Sequence, residues 1–187
     1  MKITRRLLAI LFVLSAPLFF VSRAQTPEKP AVKGQYIAYV GTYTSKTTSK
    51  GIYAYRFDAE KGQLTPIGIA AETADPSFLA VHPNGKFLYE SNRRTKSEEE
   101  RAPDTIGVYS VDPQTGMLTP VEQSLTGGVM PRFFTIDPTG AYLLAANQIS
   151  NNVVLYKIDP STGRLLKTNT EINVDTPVCL KFVPMNH

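Results

Sequence analysis

The sequence predicts an all-β fold built from a repeated unit of short strands. Segments rich in Val, Ile, Tyr and Phe recur at a period of about 50 residues, a spacing typical of propellers and other repeat arrays. Turns that contain Gly or Pro separate these segments, and no helical periodicity follows residue 24. Together these observations indicate an all-β chain, either a propeller or a sandwich.

The first repeated element is a strand that runs into a tight turn. Its turns read DAEKG, DPQTG and DPSTG, where Asp can cap the turn, Pro presets φ and Gly takes a positive φ. We therefore predict three β-hairpins with a structural role. Their strands are Ile52–Asp58, Ile106–Asp112 and Val153–Asp159.

The second repeated element is a strand that leads through a Pro-x-Gly turn into another strand. Two complete copies join Pro76–His82 to Phe87–Asn92 and Pro131–Asp137 to Tyr142–Asn147. Pro177–Val183 opens a third copy, and Tyr36–Thr42 supplies its second strand from the other end of the chain. We therefore expect a β-propeller with about three four-stranded antiparallel blades, in which the two termini complete one blade. Closure of this kind removes free sheet edges, which favours a propeller over a sandwich.

Residues 1–24 have the composition of an export signal. Three basic residues precede an apolar run at Leu7–Val21, and Ser22-Arg23-Ala24 offers small side chains for signal cleavage. The run holds about 15 residues, fewer than the roughly 20 that a membrane-spanning helix needs. We therefore expect an exported protein, periplasmic or extracellular, with no stable membrane anchor after cleavage. Residues 25–35 are expected to be a linker and residues 36–187 a partial propeller domain.

Charge and cysteine content exclude several function classes. The net charge of +4 resides entirely in residues 1–24, so the remainder is neutral and has no basic stripe for nucleic acid. Cys179 is the single cysteine, which excludes an intramolecular disulfide and any Cys-x-x-Cys metal spacing. It stands in an apolar run and is predicted to be a buried thiol. The sequence predicts no metal site and no cofactor.

Four stretches carry a family resemblance. They are GTYTSKTTSKGIYAYRFD at 41–58, DPSFLAVHPNGKFLY at 75–89, MPRFFTIDPTGAYLLAANQISNNVVLYKIDPSTGRL at 130–165 and TPVCLKFVP at 176–184. They resemble the seven-bladed β-propeller lactonases of the 6-phosphogluconolactonase and carboxymuconate-cyclising type. The resemblance implies a hydrolase that opens a sugar lactone such as 6-phosphogluconolactone. Compared with that family, about four middle blades are missing, with a first blade joined almost directly to the last two.

Lactone opening needs a general base for water and donors for the developing oxyanion. Arg132 is the best candidate for the second role, because it matches the arginine of the family's Pro-Arg motif; it could instead bond loop carbonyls. The histidine and glutamate that the family is thought to use have no counterpart here. Glu90 and Asp75 are candidate bases, with an exposed strand position and a turn cap as the simpler accounts. His82 is predicted to be structural.

The resemblance implies that the strand that opens each repeat is the innermost strand of its blade. A ligand would then be held by the loops at one mouth of the propeller. The predicted substrate-binding residues at this mouth are Tyr43, Asn92, Arg93, Asn147 and Gln148.

Two functions stay open at this point. One is a lactonase impaired by its missing blades, acting on a small-molecule sugar lactone. The other is a non-catalytic exported propeller fragment that binds a partner or assembles with itself. A homo-oligomer would close the propeller, because two copies can in principle form a six-bladed ring, within the roughly four to eight blades that propellers contain.

Overall fold

A computed structural model describes residues 34–92 and 104–185 of the chain. These residues contain strands and no helix, as the repeat pattern predicts. The strands are β1 (Gln35–Gly41), β2 (Gly51–Asp58), β3 (Gln63–Glu72), β4 (Pro76–Val81), β5 (Phe87–Asn92), β6 (Thr105–Val111), β7 (Leu118–Leu125), β8 (Pro131–Ile136), β9 (Tyr142–Asn147), β10 (Asn152–Ile158) and β11 (Leu165–Asn173).

The strands form three antiparallel sheets, which we call blades. Blade 1 has the order β1-β2-β3, blade 2 the order β4-β5-β6-β7, and blade 3 the order β8-β9-β10-β11. Within each blade, strands that are consecutive in the chain pair with one another. The prediction of an all-β partial propeller is confirmed.

An aspartate opens each of the three predicted hairpin turns. The side chains of Asp58, Asp112 and Asp159 accept hydrogen bonds from the backbone amides two residues on, at 3.0, 2.9 and 2.8 Å. A glycine with positive φ closes each turn. Donors within the turns lower the pKa of all three carboxyls, and the Ser161 hydroxyl is the main reason that the pKa of Asp159 falls to about 2.

The hydrophobic core lies between the blades. Blade 2 is covered on both faces, and all six residues of β5 are buried as a result. One cluster fills the space between blades 1 and 2, and a second fills the space between blades 2 and 3. Leu88 and Tyr109 join the first cluster, while Phe87, Tyr89, Ile106 and Val108 join the second.

Neighbouring blades are also linked by tyrosine hydroxyls. Tyr39 on β1 donates to the carbonyl oxygen of Gly116 in the β6–β7 turn at 3.0 Å. Tyr89 on β5 donates to the carbonyl oxygen of Gly163 in the β10–β11 turn at 2.8 Å. The same link therefore joins blade 1 to blade 2 and blade 2 to blade 3.

The register of β1 differs by one residue from the sequence expectation. The ladders pair Gly41 with Ile52, Ser91 with Ile106 and Ala146 with Val153. Because the second members of these pairs are equivalent in the repeat, Ile37 and not Tyr36 is the counterpart of Phe87. A shift of one residue exchanges the two faces of a strand. It therefore directs Tyr39 toward blade 2 and leaves Tyr36 on the open face of blade 1.

The two termini do not complete one blade, contrary to the sequence prediction. Within the described residues β1 pairs only with β2, and residues 177–183 form no strand. Leu180 packs instead against Phe133 of blade 3. Cys179 is consequently exposed, and the expectation of a buried thiol is wrong.

Several sequence predictions concern residues outside the described ranges. These are the export signal at 1–24, most of the linker at 25–35, and Arg93. In the part of the chain that the structure describes, no helix is long and apolar enough to cross a membrane.

The Tyr89 link gives a stability prediction. We expect Tyr89→Phe to lower the free energy of unfolding by about 1–2 kcal/mol, because it removes a buried hydrogen bond and leaves the Gly163 carbonyl without that donor. Urea denaturation followed by circular dichroism measures the change. Tyr142→Phe is the matched control, since Tyr142 is 39% exposed and its hydroxyl makes no hydrogen bond with a described residue. Equal stability of the two variants would contradict the prediction.

Candidate functional site

The innermost strands of the blades begin at one mouth of the propeller. The residue before each opening proline has a positive φ, at Asp75 (46°), Met130 (61°) and Thr176 (48°). A non-glycine residue rarely adopts this conformation, and proline further restricts the residue before it. Its occurrence at three equivalent positions shows that residues 176 and 177 begin a third copy of this corner, although no strand follows.

A cavity of about 310 Å³ lies at this mouth. Ser77, Arg132 and Val178 occupy the same position in the three corners, one residue after the opening proline, and all three line the cavity. Tyr43, from the loop between β1 and β2, and Pro131 complete its lining. The structure thus brings together two predicted site residues, Arg132 and Tyr43, that are far apart in the sequence.

The cavity offers donors and one fixed positive charge. The Arg132 side chain is exposed, and its guanidinium can bind a carboxylate, a phosphate or a developing oxyanion. The Ser77 hydroxyl lies 2.9 Å from the Ser91 hydroxyl and donates to the Ser91 carbonyl oxygen at 3.2 Å. Ser77 and Val178 are absent from our predicted site residues, although their equivalence to Arg132 in the repeat was a signal that could have identified them.

Asp75 holds the loop that carries Tyr43. It is buried, and its carboxylate accepts hydrogen bonds from the backbone amides of Thr44 at 2.7 Å and Ser45 at 2.9 Å. The hydroxyl of Ser45 also donates to it. The carboxylate is therefore engaged as a loop cap, which is the simpler of the two roles considered for it, and it does not line the cavity.

Glu90 is not the exposed strand residue that the sequence indicated. It is 0% exposed and lies between blades 1 and 2, because β5 is covered on both faces. Its Oε1 accepts hydrogen bonds from Tyr109 and Thr73, both at 2.8 Å, whereas its buried Oε2 has no hydrogen-bond partner among the described residues. Burial raises the pKa of this carboxyl. Glu90 does not line the cavity, so this arrangement offers it no contact with a substrate there.

Asn92 and Asn147 are buried beside the loops at the mouth. Asn147 is buried and donates to the carbonyl oxygen of Thr126 at 3.1 Å, and Asn92 is buried at the equivalent position of blade 2. Gln148 is half-buried, and its backbone amide donates to the Met130 carbonyl oxygen. None of the three lines the cavity that contains Arg132, and their contact with a substrate stays a prediction.

His82 has a structural role, as the sequence predicts. Its Nδ1 accepts a hydrogen bond from the backbone amide of Asn84 at 3.2 Å, which leaves the proton on Nε2. Nε2 lies 2.8 Å from the carbonyl oxygen of Gly140, to which it donates. The imidazole therefore links the first turn of blade 2 to that of blade 3. Across the described residues, no group of three or more His, Cys, Asp or Glu is placed to hold a metal ion.

Comparison with known proteins identifies the architecture. The family of seven-bladed β-propeller lactonases matches residues 37–99 and 80–182. The chain belongs to this family. It is 38% identical over 109 residues to the 6-phosphogluconolactonase of Formosa agariphila, a match that covers 58% of this chain and 29% of that protein.

Solved structures show the same relationship. A candidate 6-phosphogluconolactonase from Bacteroides uniformis matches with a TM-score of 0.63 and 36% identity, over 79% of this lactonase-family chain and 40% of the other. A periplasmic gluconolactonase from Pseudomonas aeruginosa matches with a TM-score of 0.57 and 25% identity, over 85% of this chain and 45% of the other. The chain thus spans less than half the length of these relatives.

The environment of Glu90 predicts a pH dependence of stability. A carboxyl whose pKa is raised in the folded state holds its proton more tightly there, so folding is favoured below its ordinary pKa of 4.5 and loses free energy as the pH rises above it. Glu90→Gln removes this titration and retains an acceptor for Tyr109 and Thr73. We therefore expect the stability of the variant relative to the wild type to increase as the pH rises above 4.5.

Urea denaturation of both proteins between about pH 4 and pH 8 measures this difference. Comparison of the two proteins cancels the contribution of the turn aspartates, which titrate identically in both. A difference in stability that stays constant over this range would contradict a raised pKa at Glu90.

Proposed function

We propose that this protein is a lactone hydrolase that binds a sugar lactone at the mouth cavity. The observation that carries the proposal is the convergence of Arg132 with the hydroxyls of Tyr43 and Ser77 in one cavity. Its volume of about 310 Å³ falls at the lower end of the roughly 300–1,000 Å³ typical of small-molecule sites. Membership of a lactonase family supports the reaction class.

Arg132 has the chemistry for two tasks in this reaction. Attack of water on a lactone carbonyl places negative charge on its oxygen, and a guanidinium that donates hydrogen bonds to this oxygen stabilises the transition state. The same guanidinium can hold a phosphate in two parallel hydrogen bonds, as 6-phosphogluconolactone would require. We assign Arg132 the first task for any sugar lactone, and the second for a phosphorylated one.

The proposed hydrolase is a weak one. A general base that activates the water typically contributes about 10²–10⁴-fold to the rate. Among the described residues that line the cavity there is no carboxylate and no imidazole. The proposed rate enhancement therefore comes from binding, orientation and charge stabilisation alone.

The lack of a carboxylate or imidazole among the described lining residues favours a second function, in which the cavity binds a ligand without turnover. A non-catalytic propeller module of this kind needs Arg132 and the hydroxyls and has no use for a base. We further propose export of the protein through residues 1–24, a proposal supported by their signal-like composition and by the periplasmic gluconolactonase among the structural relatives.

Hydrolysis of 6-phosphogluconolactone and of unphosphorylated gluconolactone tests the proposal. We expect turnover above the spontaneous rate, and a fall in kcat/KM of at least about tenfold in Arg132→Ala, which corresponds to about 1.4 kcal/mol of transition-state stabilisation. An equal loss on both lactones indicates oxyanion stabilisation. A larger loss on the phosphorylated lactone indicates phosphate binding.

Arg164→Ala is the matched control, because Arg164 is also exposed but lies in the β10–β11 turn outside the cavity. It should retain full activity. A folded wild-type protein that turns over neither lactone would overturn the hydrolase proposal. Binding of gluconate, with loss of binding in Arg132→Ala, would then support the non-catalytic module.

A further inference from the structure

Tyr43 reaches the mouth cavity from a loop and is 56% exposed. The loop, residues 42–50, joins β1 to β2, and its two ends are held together because the hydroxyl of Thr42 donates to the carbonyl oxygen of Gly51 at 2.7 Å. An exposed side chain on a loop loses conformational entropy when a ligand orders it. A further attachment of the loop is therefore needed if Tyr43 is to be in place before a ligand binds.

Asp75 attaches the loop to blade 2 directly after Tyr43. One oxygen of its carboxylate accepts hydrogen bonds from the backbone amides of Thr44 at 2.7 Å and Ser45 at 2.9 Å. The other oxygen accepts a hydrogen bond from the Ser45 hydroxyl. Hydrogen bonds to an ionised carboxylate are stronger than those between neutral groups. Because Asp75 is 3% exposed and directly precedes β4, the loop is anchored to a buried position of the sheet.

The end of β1 also lies close to this corner. A Cβ atom at Gly41 would lie 2.9 Å from the carbonyl oxygen of Pro76, which is closer than real Cβ atoms approach. Glycine at this position therefore allows the start of the loop to come near Asp75. Tyr43, two residues after Gly41, and Ser77, one residue after Pro76, line the same cavity as a result.

The carboxylate of Asp75 is an addition to a link that all three described corners have. At Asp75, Met130 and Thr176, the backbone amide donates to a side-chain oxygen of the blade before the corner. These acceptors are the side chains of Thr44 at 3.3 Å, Asp104 at 2.8 Å and Asn151 at 2.9 Å. Met130 and Thr176 adopt the same positive φ without a carboxylate of their own. The corner therefore does not require the Asp75 carboxylate, whose hydrogen bonds serve the loop that carries Tyr43.

We propose that Asp75 is a positioning residue that holds Tyr43 in place to contact the substrate in the mouth cavity. This inference rests on the proposed function, because it assigns Tyr43 a contact with the ligand of that cavity. Asp75 acts through the loop and touches no reacting atom. Its loss should weaken substrate binding and leave the chemical step unchanged, whereas the loss of a general base lowers the rate by about 10²–10⁴-fold.

Two substitutions of Asp75 separate these roles. Asp75→Gly removes the carboxylate, and glycine adopts the φ of 46° without strain. Asp75→Asn retains an acceptor for the Thr44 and Ser45 amides, because both bind the same oxygen, and asparagine also tolerates a positive φ. We expect a KM at least about threefold higher in Asp75→Gly, with kcat unchanged, because the loop is then ordered only on binding. Asp75→Asn should be close to the wild type in both constants, and a loss of kcat in this variant would overturn the proposal.

A double-mutant cycle tests whether Asp75 acts through Tyr43. Tyr43→Ala removes the side chain that the loop presents to the cavity. In this background Asp75→Gly should have no further effect on KM, because a residue that acts only through another contributes nothing once the other is gone. Increases in KM that multiply in the double variant would overturn the proposal.

Fluorescence tests the positioning of residue 43 without any need for turnover. The chain contains no tryptophan, so Tyr43→Trp introduces a single indole at the mouth. Adding Asp75→Gly should lower the fluorescence anisotropy of this indole and increase its quenching by acrylamide, because the loop is released from blade 2. Thr176→Gly in the same background is the matched control, since it places glycine at an equivalent corner with positive φ. Unchanged anisotropy in Asp75→Gly, or an equal fall in Thr176→Gly, would overturn the proposal.

The fluorescence result also separates this inference from the proposed hydrolase. A wild-type protein that turns over neither lactone overturns the hydrolase, and the anisotropy of the indole still decides whether Asp75 holds the loop. Circular dichroism establishes that each variant retains its β-structure. If Asp75→Gly fails to fold, Ser45→Ala in the Tyr43→Trp background removes one donor to the carboxylate. It should give a smaller fall in anisotropy, and no fall would overturn the proposal.

Discussion

The burial of sheet faces between neighbouring blades is the interaction on which the rest of this structure depends. A four-stranded sheet has two faces, and it can bury both only when another sheet covers each side. Blade 2 meets this condition, and every residue of β5 is buried in consequence. Among the described residues, blades 1 and 3 meet it on one face each, so the stability of their strands depends on the blade beside them.

The hydrogen bonds between blades follow from the same constraint. A buried hydroxyl must find an acceptor, and the turn carbonyls of the next blade supply one for Tyr39 and for Tyr89. Glu90 shows the cost of a polar group at this interface. Two donors satisfy one of its oxygens, and burial raises the pKa of the carboxyl.

The side chains at the mouth differ from blade to blade, although the backbone that carries them is repeated. The same corner, with the same backbone conformation, presents Ser77 in one blade, Arg132 in another and Val178 in the third. The repeated backbone provides the geometry, and the side chains that differ provide the charge and the hydroxyl. Asp75 adds to this arrangement by fixing the loop that carries Tyr43.

Much of the fold could be predicted from the sequence, because turns and strands depend on residues that are close together in the chain. The turn residues, the strand pattern and the period of the repeat predicted the hairpins and the all-β class, since a turn depends on a few adjacent residues. Arg132 was selected by its motif, and its role in the reaction stays a prediction. Charge and cysteine content argue against a nucleic-acid partner and a Cys-x-x-Cys metal site, and both expectations stay predictions.

Only the tertiary structure decided which faces of the strands are covered. Glu90 is charged in sequence and has polar neighbours, so the pattern indicated exposure, yet two sheets enclose it. The register of β1 and the path of residues 177–183 were equally undetermined, because a strand pattern does not specify which edge it will pair with. Local propensity determined the strands of this protein, whereas burial between non-adjacent segments determined their neighbours and therefore the residues that reach the mouth.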